Sequence, residues 1–143
     1  MNNILKSTAD LLNEIKSTPN LSEFLKEYSE DISDPKFKEY LKKLLDEKGM
    51  TRADAIRKAD LSSDYAYQIF SGRKNPSRDK LIRLALGMAL TLDETSRLFK
   101  LAGVSELYPR IKRDAVILFC IERNISVMTA NELLYELNLY TLA

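Results

Sequence analysis

Apolar residues recur at spacings of three and four along most of the chain, and this spacing predicts amphipathic helices. Two short apolar stripes cover residues 4–15 and 21–28, and the clearest stripe begins after Asp34 and Pro35 and continues to Gly49. Asp34 is expected to cap that third helix and Pro35 to occupy its first turn. Only four glycines and four prolines occur, and most lie at boundaries between helically periodic segments, so the pattern predicts an all-α protein.

Helix-capping residues divide the middle of the chain into four further helices. The predicted helix starts are Thr51, Ser62, Ser77 and Thr91, and the predicted ends are Ala59, Gly72, Met88 and Gly103. Asp54 and Glu94 complete the caps at Thr51 and Thr91, three residues earlier. The first two of these helices are short and are separated by a tight turn at Asp60.

An internal repeat organises the remainder of the chain. A shift of 35 positions places Arg78 on Arg113, Asp79 on Asp114 and Thr91 on Ser126. The apolar run at residues 115–121 fits a buried strand or a buried helix equally well. The alignment favours a helix, so residues 108–143 are predicted to form a second helical pair. A chance similarity between two amphipathic helix pairs is the alternative explanation.

Composition narrows the chemistry. The 143 residues are 45% hydrophobic and 30% charged, which suits one compact domain with appended elements. Histidine is absent and Cys120 is the single cysteine, so triads that need histidine, an intrachain disulfide and a cysteine-rich zinc site are excluded. We therefore expect no enzyme, no catalytic residue, no metal site and no cofactor. Without an apolar run of membrane-spanning length or a basic leader, the protein is expected to be cytoplasmic and away from the membrane.

Charge becomes informative once the chain is divided. The net charge is +1 overall, but residues 35–103 hold 15 basic and 9 acidic side chains, a net charge of +6. Residues 1–34 have a net charge of −4 and residues 104–143 one of −1. A local excess of lysine and arginine is typical of a surface that binds a polyanion, although a solvated helical surface can have the same excess.

The segment MTRADAIRKADLSSDYAYQIFSG, residues 50–72, has the spacing of two short helices around a tight turn. Its supporting residues are Leu44 and Leu45 before Gly49, Thr51 as a cap, Ala55, Ile56, Leu61, Ala66 and Ile69 as core positions, and GRKNPS after the second helix. This combination resembles the helix-turn-helix of phage-repressor-type regulators, the XRE family, over roughly residues 37–103. The resemblance implies a lambda-repressor-like core at residues 35–107, with extra N-terminal helices at residues 1–34 and a C-terminal helical pair at residues 108–143 packed on the core.

Two positions depart from the family pattern. Asp60 stands where the family usually has glycine, and aspartate is among the few residues that tolerate a left-handed turn. The usual Leu-Ala order in the first motif helix is Ala55-Ile56 here, which puts the larger side chain where the two helices cross.

The resemblance also assigns DNA contacts. It implies that Ser63, Asp64 and Gln68 face base edges, with Tyr67 beside them on the exposed side of the second motif helix. Glutamine can bond bidentately to adenine, aspartate can accept from cytosine, and tyrosine can touch a thymine methyl group or a phosphate. The positions implied for phosphate contacts are Arg52, Arg73, Lys74 and Asn75.

Several of these residues also have an interpretation that needs no DNA, and Arg73 and Lys74 can belong to an ordinary solvated loop. Asp64 can stabilise the helix dipole from the first turn, Ser63 can belong to the cap, and Gln68 can be a solvated helix residue. Tyr65 and Phe70 are expected in the core or at an interface. Arg78 fits a local salt bridge as well as a DNA contact.

The leading hypothesis is a sequence-specific DNA-binding transcriptional regulator, a repressor-type protein that places residues 62–71 in the major groove of double-stranded DNA. Because one short helix reads only a few base pairs, a homodimer on two half-sites is expected. The alternative is a helical adaptor that keeps the repressor-like scaffold and uses the face of Tyr67 and Phe70, or the repeated helical pair, to hold a protein partner.

Overall fold

The computed structural model describes residues 7–28, 37–74 and 76–143, and these residues form helices and turns without a strand. The helices are α1 (Thr8–Ser17), α2 (Leu21–Glu27), α3 (Phe37–Glu47), α4 (Arg52–Ala59), α5 (Ser63–Phe70), α6 (Arg78–Gly87), α7 (Leu92–Ala102), α8 (Lys112–Glu122) and α9 (Val127–Glu136). The prediction of an all-α fold is confirmed for this part of the chain. The predicted cap at Asp34 and Pro35 and the start of the first stripe, residues 4–6, lie outside the described residues.

The chain divides into two compact units, Met1–Pro35 and Lys36–Ala143. In the first unit, the Ser7 side chain caps α1 and the Asn20 side chain caps α2 by accepting from the backbone N–H of Glu23. The rings of Phe24 and Tyr28 lie 5.1 Å apart. Among the described helices, none has both the length and the apolarity that a crossing of the lipid bilayer requires.

The second unit has one continuous core that extends from α3 to α9. Its largest fully buried side chains are Leu41, Leu44, Ile69, Leu81, Ile82, Leu84, Met88, Leu90, Leu98, Phe99, Ile117 and Ile121. Cys120 and its repeat equivalent Ala85 are both fully buried, and burial raises the pKa of the Cys120 thiol. Cys120 is therefore a small core residue, as predicted, with a thiol that stays protonated at neutral pH.

The predicted caps set most helix boundaries. Thr51 with Asp54, and Thr91 with Glu94, form complete capping boxes in which each residue bonds the other's backbone N–H. Ser62 precedes α5 but its side chain makes no capping hydrogen bond, and α5 ends at Phe70, two residues before the predicted end at Gly72. The Ser62 cap was therefore correct in position and wrong in the bond that it makes.

Helices α4 and α6 approach each other closely at Gly87. A Cβ atom added at Gly87 would lie 2.6 Å from the Ala59 backbone nitrogen and 2.8 Å from the Lys58 carbonyl carbon. Real Cβ atoms do not come this close to backbone, so the α4–α6 spacing requires glycine at this position. Ala55 and Ala59 on the facing side of α4 are fully buried, consistent with close packing of small residues.

The 35-residue repeat is confirmed by the backbone. The helices α8 and α9 begin and end close to the positions that α6 and α7 predict, and Ser126 caps α9 as Thr91 caps α7. Left-handed residues also recur at the same shift. They are Ala89 and Asn124 after the first helix of each pair, and Gly103 and Asn138 after the second. The two helical pairs are therefore copies of one structural unit.

Two ion pairs join the first helical pair, α6 and α7, to the second helical pair, α8 and α9. Arg78 donates through two nitrogens to the Asp114 carboxylate at 3.0 and 2.8 Å, and Arg113 donates in the same way to Asp79 at 3.1 and 3.0 Å. Such bidentate pairs fix both distance and orientation. Arg78 is thus engaged in the local salt bridge that its sequence context allowed.

The surrounding hydrogen bonds follow the same shift. Arg78 donates to the carbonyl oxygens of Ser105 and Glu106, and Arg113 to those of Tyr140 and Thr141. The backbone N–H of Tyr108 donates to Asp114, and that of Ala143 donates to Asp79, both at 2.9 Å. Each arginine therefore ties down the chain that follows its own helical pair and, at the same time, joins that pair to the other one.

We predict that Gly87→Ala lowers the stability of the protein. Alanine favours a helix over glycine by about 1 kcal/mol, but forcing a methyl group against the α4 backbone costs about 1–3 kcal/mol. The net effect should be a lower melting temperature in circular dichroism. Gly103→Asn is the control, since Gly103 has open space around its Cβ position and its repeat equivalent Asn138 already adopts the left-handed conformation. An equal or larger loss for Gly103→Asn would contradict the proposed close contact.

The exchanged ion pairs predict a loss of stability in acid. Burial acts to raise the pKa of Asp114, but hydrogen bonds from Arg78 and the Tyr108 backbone outweigh it and hold the pKa below its ordinary value. As the pH falls below about 4, the unfolded chain therefore binds the proton first, and the stabilisation present at neutral pH is lost as the pH falls through the lowered pKa.

The test compares urea unfolding from pH 7 down to pH 3. Asp114→Asn should lower the free energy of unfolding at pH 7, by roughly 3 kcal/mol for a broken buried pair, and should flatten the decline in acid. Asp46→Asn, which removes an exposed carboxyl from α3, should keep the parental pH dependence. A parental slope in Asp114→Asn would show that this carboxyl contributes nothing to acid sensitivity.

Candidate nucleic-acid interface

Helix α5 has one buried face and one exposed face. Ala66 and Ile69 are fully buried and Phe70 nearly so, whereas Ser63 and Tyr67 lie on the solvent side. Tyr67 is 64% exposed although it is a large aromatic residue. The predicted base-facing positions Ser63, Asp64 and Tyr67 are therefore accessible, as a surface that enters a groove of DNA requires.

The turn before α5 has the predicted left-handed geometry. Asp60 has φ 55° and ψ 49°, and the backbone N–H of Leu61 donates to the carbonyl oxygen of Ile56. Aspartate thus fills the position where the family usually has glycine. Ala55 is fully buried, whereas Ile56 is half-buried and lines the cleft between α4 and α5.

A cleft of about 320 Å³ lies between α4 and α5. It is lined by Arg52, Ala53, Ile56, Arg57, Leu61, Ser63, Tyr67 and Phe70. The cleft brings together one predicted phosphate contact, Arg52, with two predicted base contacts, Ser63 and Tyr67. The Arg52 guanidinium also lies 5.9 Å from the Phe70 ring centroid, an aromatic contact that restrains its position.

Arg57 is a cation of this cleft that the motif comparison did not assign. It lies 3.4 Å from the Asp54 carboxylate. Hydrogen bonds from the Thr51 side chain and backbone lower the pKa of Asp54, which keeps this carboxyl charged beside Arg57. The helical spacing from Ala53 to Arg57 was the available signal, because it puts Arg57 on the α4 face opposite the buried Ala55 and Ala59.

The loop after α5 is anchored to the end of the helix. The carbonyl oxygen of Gln68 accepts from the backbone N–H groups of Arg73 and Lys74, at 3.0 and 3.2 Å, and from the Ser71 hydroxyl. Gly72 supports this tight turn with φ 79°. Arg73 and Lys74 are consequently held next to α5 with exposed side chains. Asn75, the remaining predicted phosphate contact, lies outside the described residues.

Tyr65 organises two cations at the same end of the site. The ammonium groups of Lys74 and Lys80 lie 5.7 and 5.6 Å from its ring centroid, and its hydroxyl accepts from the Ser77 backbone N–H. Lys80 was not predicted as a site residue. Its only sequence signal is its place in the first turn of α6, which becomes meaningful once Tyr65 is seen to lie beneath it.

Gln68 differs from the other predicted base contacts. Its side chain is half-buried, and its amide oxygen is buried without a hydrogen-bond partner among the described residues. A buried acceptor without a donor costs about 1–3 kcal/mol. Bidentate contact with adenine needs both the amide oxygen and the amide nitrogen, so this side chain has to turn outward before it can make the predicted contact.

Comparison with known proteins gives one match. A family model described as helix-turn-helix matches residues 41–94, which extend from α3 across α4, α5 and α6 to the first turn of α7. Searches of curated proteins and of solved structures each found no significant match. The matched segment contains the buried face, the left-handed turn and the exposed face of α5 described above. Residues 41–94 are therefore similar to a helix-turn-helix family, which supports the resemblance of this part of the chain to the phage-repressor-type, or XRE, regulators.

Proposed function

We propose that the protein is a sequence-specific transcriptional regulator that inserts α5 into the major groove of double-stranded DNA. The observation that supports this most directly is the exposed face of α5, where Ser63, Asp64 and Tyr67 stand clear of a fully buried opposite face. In a helix-turn-helix, this is the face that contacts base edges. The protein would act in the cytoplasm, without catalysis or a cofactor, by occupying its operator as a repressor.

Cations on several sides of α5 would bind the phosphate backbone. The Arg52 guanidinium lies beside Phe70, the last residue of α5, and Arg73 and Lys74 follow that helix, so positive charge gathers at the C-terminal end of α5. We add Arg57 and Lys80 to this set because they share the cleft and the Tyr65 ring with residues already assigned. Asn75 stays a predicted phosphate contact from the motif alone. Such contacts set affinity and register without reading the sequence.

We further propose that the protein binds DNA as a homodimer. Helix α5 has eight residues and can touch only a few base pairs. Two copies on half-sites about one helical turn apart would give the length of sequence that specific binding requires. Sedimentation of the complex with a selected duplex should show two chains per duplex, and a single chain per duplex would refute this part of the proposal.

A second candidate function is a protein-interaction adaptor on the same scaffold. It is favoured by the exposed Tyr67 ring at the edge of a partly apolar cleft, a feature that also suits a protein partner. Selection from a randomised duplex pool separates the two functions. Enrichment of a short, two-fold-symmetric site supports the regulator, whereas weak salt-insensitive binding without enrichment supports the adaptor.

Two substitutions should separate base reading from phosphate binding. Gln68→Ala should lower affinity for the selected site by about 1–3 kcal/mol and leave affinity for random duplex nearly unchanged. Arg73→Ala should weaken binding to every duplex and reduce the slope of log affinity against log salt by about 1. Fluorescence anisotropy over a range of salt concentrations measures both effects.

The control is Lys43→Ala, which removes an exposed positive charge from α3 at a position without a predicted DNA contact. It should resemble the parent protein in both affinity and salt slope. If Gln68→Ala and Arg73→Ala weaken all duplexes equally, the roles assigned to these two residues are wrong.

A further inference from the structure

Arg83 joins the helix-turn-helix turn to the last described residues of the chain. Its side chain is only 12% exposed. On one side, Nη1 donates to the Asp60 carbonyl oxygen at 3.0 Å and lies 3.5 Å from the Ala59 carbonyl oxygen and from the Asp60 carboxylate. On the other side, Nη2 donates to the Leu142 carbonyl oxygen at 2.8 Å and Nε to the Ala143 oxygen at 3.1 Å.

We propose that Arg83 is a positioning residue for α5, and that it positions the helix only while residues 140–143 are docked beside it. This inference rests on the DNA-binding function proposed above and adds a control element to it. Among the described residues, the hydrogen-bond partners of Arg83 include none of the predicted DNA contacts. Arg83 acts through Asp60, whose left-handed conformation sets the direction in which the chain enters α5.

Residues 140–143 are held in place by hydrogen bonds that do not involve Arg83. Arg113 holds the carbonyl oxygens of Tyr140 and Thr141, and Asp79 accepts from the Ala143 backbone N–H. The backbone N–H of Leu142 donates to the Asn131 side chain at 2.7 Å, and the Leu142 side chain is 3% exposed. These bonds hold the oxygens of Leu142 and Ala143 in position to accept hydrogen bonds from Arg83.

The repeat shows that this link is an addition to the shared architecture. Residues 105–108 are the equivalent segment after the first helical pair, α6 and α7, and they are held by Arg78 and Asp114 in the same way. In the second helical pair, α8 and α9, the position equivalent to Arg83 is Leu118, which cannot donate a hydrogen bond from its side chain. The packing of a helical pair therefore does not require an arginine at this position. Arg83 instead connects residues 140–143 to the turn at Asp60.

The link has a physical reason to affect base reading more than phosphate binding. The carbonyl oxygens of Ala59 and Asp60 lie at the end of α4, where the helix leaves carbonyl groups without internal partners. The planar guanidinium of Arg83 reaches these oxygens and the Leu142 oxygen through separate nitrogens, whereas a lysine would have to make all of these bonds from one nitrogen. Loss of the bridge leaves the turn free to shift, and base contacts tolerate less displacement than contacts with phosphates do.

The test compares Arg83→Lys with Arg78→Lys. Both substitutions keep the charge and loosen a terminal segment of the repeat, but only Arg83 contacts the turn. In the free protein, Arg83→Lys should speed amide hydrogen exchange at residues 60–63 by about tenfold relative to α7. Arg78→Lys should speed exchange at residues 105–108 and leave residues 60–63 unchanged. A chain ending at residue 139 should reproduce the Arg83→Lys effect at residues 60–63.

The DNA arm measures the ratio of affinities for the selected site and a random duplex. Arg83→Lys should lower this ratio about tenfold, the size of one base contact, with the salt slope unchanged, whereas Arg78→Lys should keep the parental ratio. Unchanged exchange at residues 60–63, or an equal fall in the ratio for both variants, would overturn the proposal. If the parent protein selects no site, the proposed function fails, and hydrogen exchange alone still decides whether Arg83 positions the turn.

Discussion

The structure of the second unit depends on the close contact between α4 and α6. Gly87 lets the α4 backbone come so near that any side chain at this position would collide with Lys58 or Ala59. The contact lies directly before Asp60, where the chain turns toward α5. The lack of a side chain at Gly87 therefore allows the end of α4, directly before the turn to α5, to lie against α6.

Helix α6 faces two different structures with two different chemistries. At its first turn, Arg78 pairs with Asp114 and Asp79 pairs with Arg113, so each residue contacts the repeat equivalent of its neighbour. One turn to two turns later, Arg83 and Gly87 hold α4, and the repeat has Leu118 and Glu122 at those positions. The first turn of α6, which recurs in α8, thus joins the two helical pairs. The later part, which does not recur, connects α6 to α4 and to the turn before α5.

Local signals in the sequence predicted the elements well. A capping box such as Thr51 with Asp54 is complete within three residues, so its bond can be inferred from the letters alone. The 35-residue shift predicted α8 and α9 because helix lengths and left-handed positions recur with it. Gly87 and Arg83 were missed since each acts on a distant segment, and inside a helical pattern a glycine only suggests weak propensity and an arginine only a solvated surface.

In the candidate site, too, the sequence predicted what depends on a local pattern and missed what depends on the surroundings of a side chain. Exposure of Ser63 and Tyr67 follows from helical spacing around a buried Ala66, but the environment of Gln68 does not. Its carbonyl oxygen is occupied by the loop that follows α5, while its amide oxygen is buried without a donor. A base that supplies this donor would relieve the cost of leaving the oxygen unpaired. Part of the specificity at this position would then come from pairing an amide oxygen that has no donor in the free protein, and not from the contact alone.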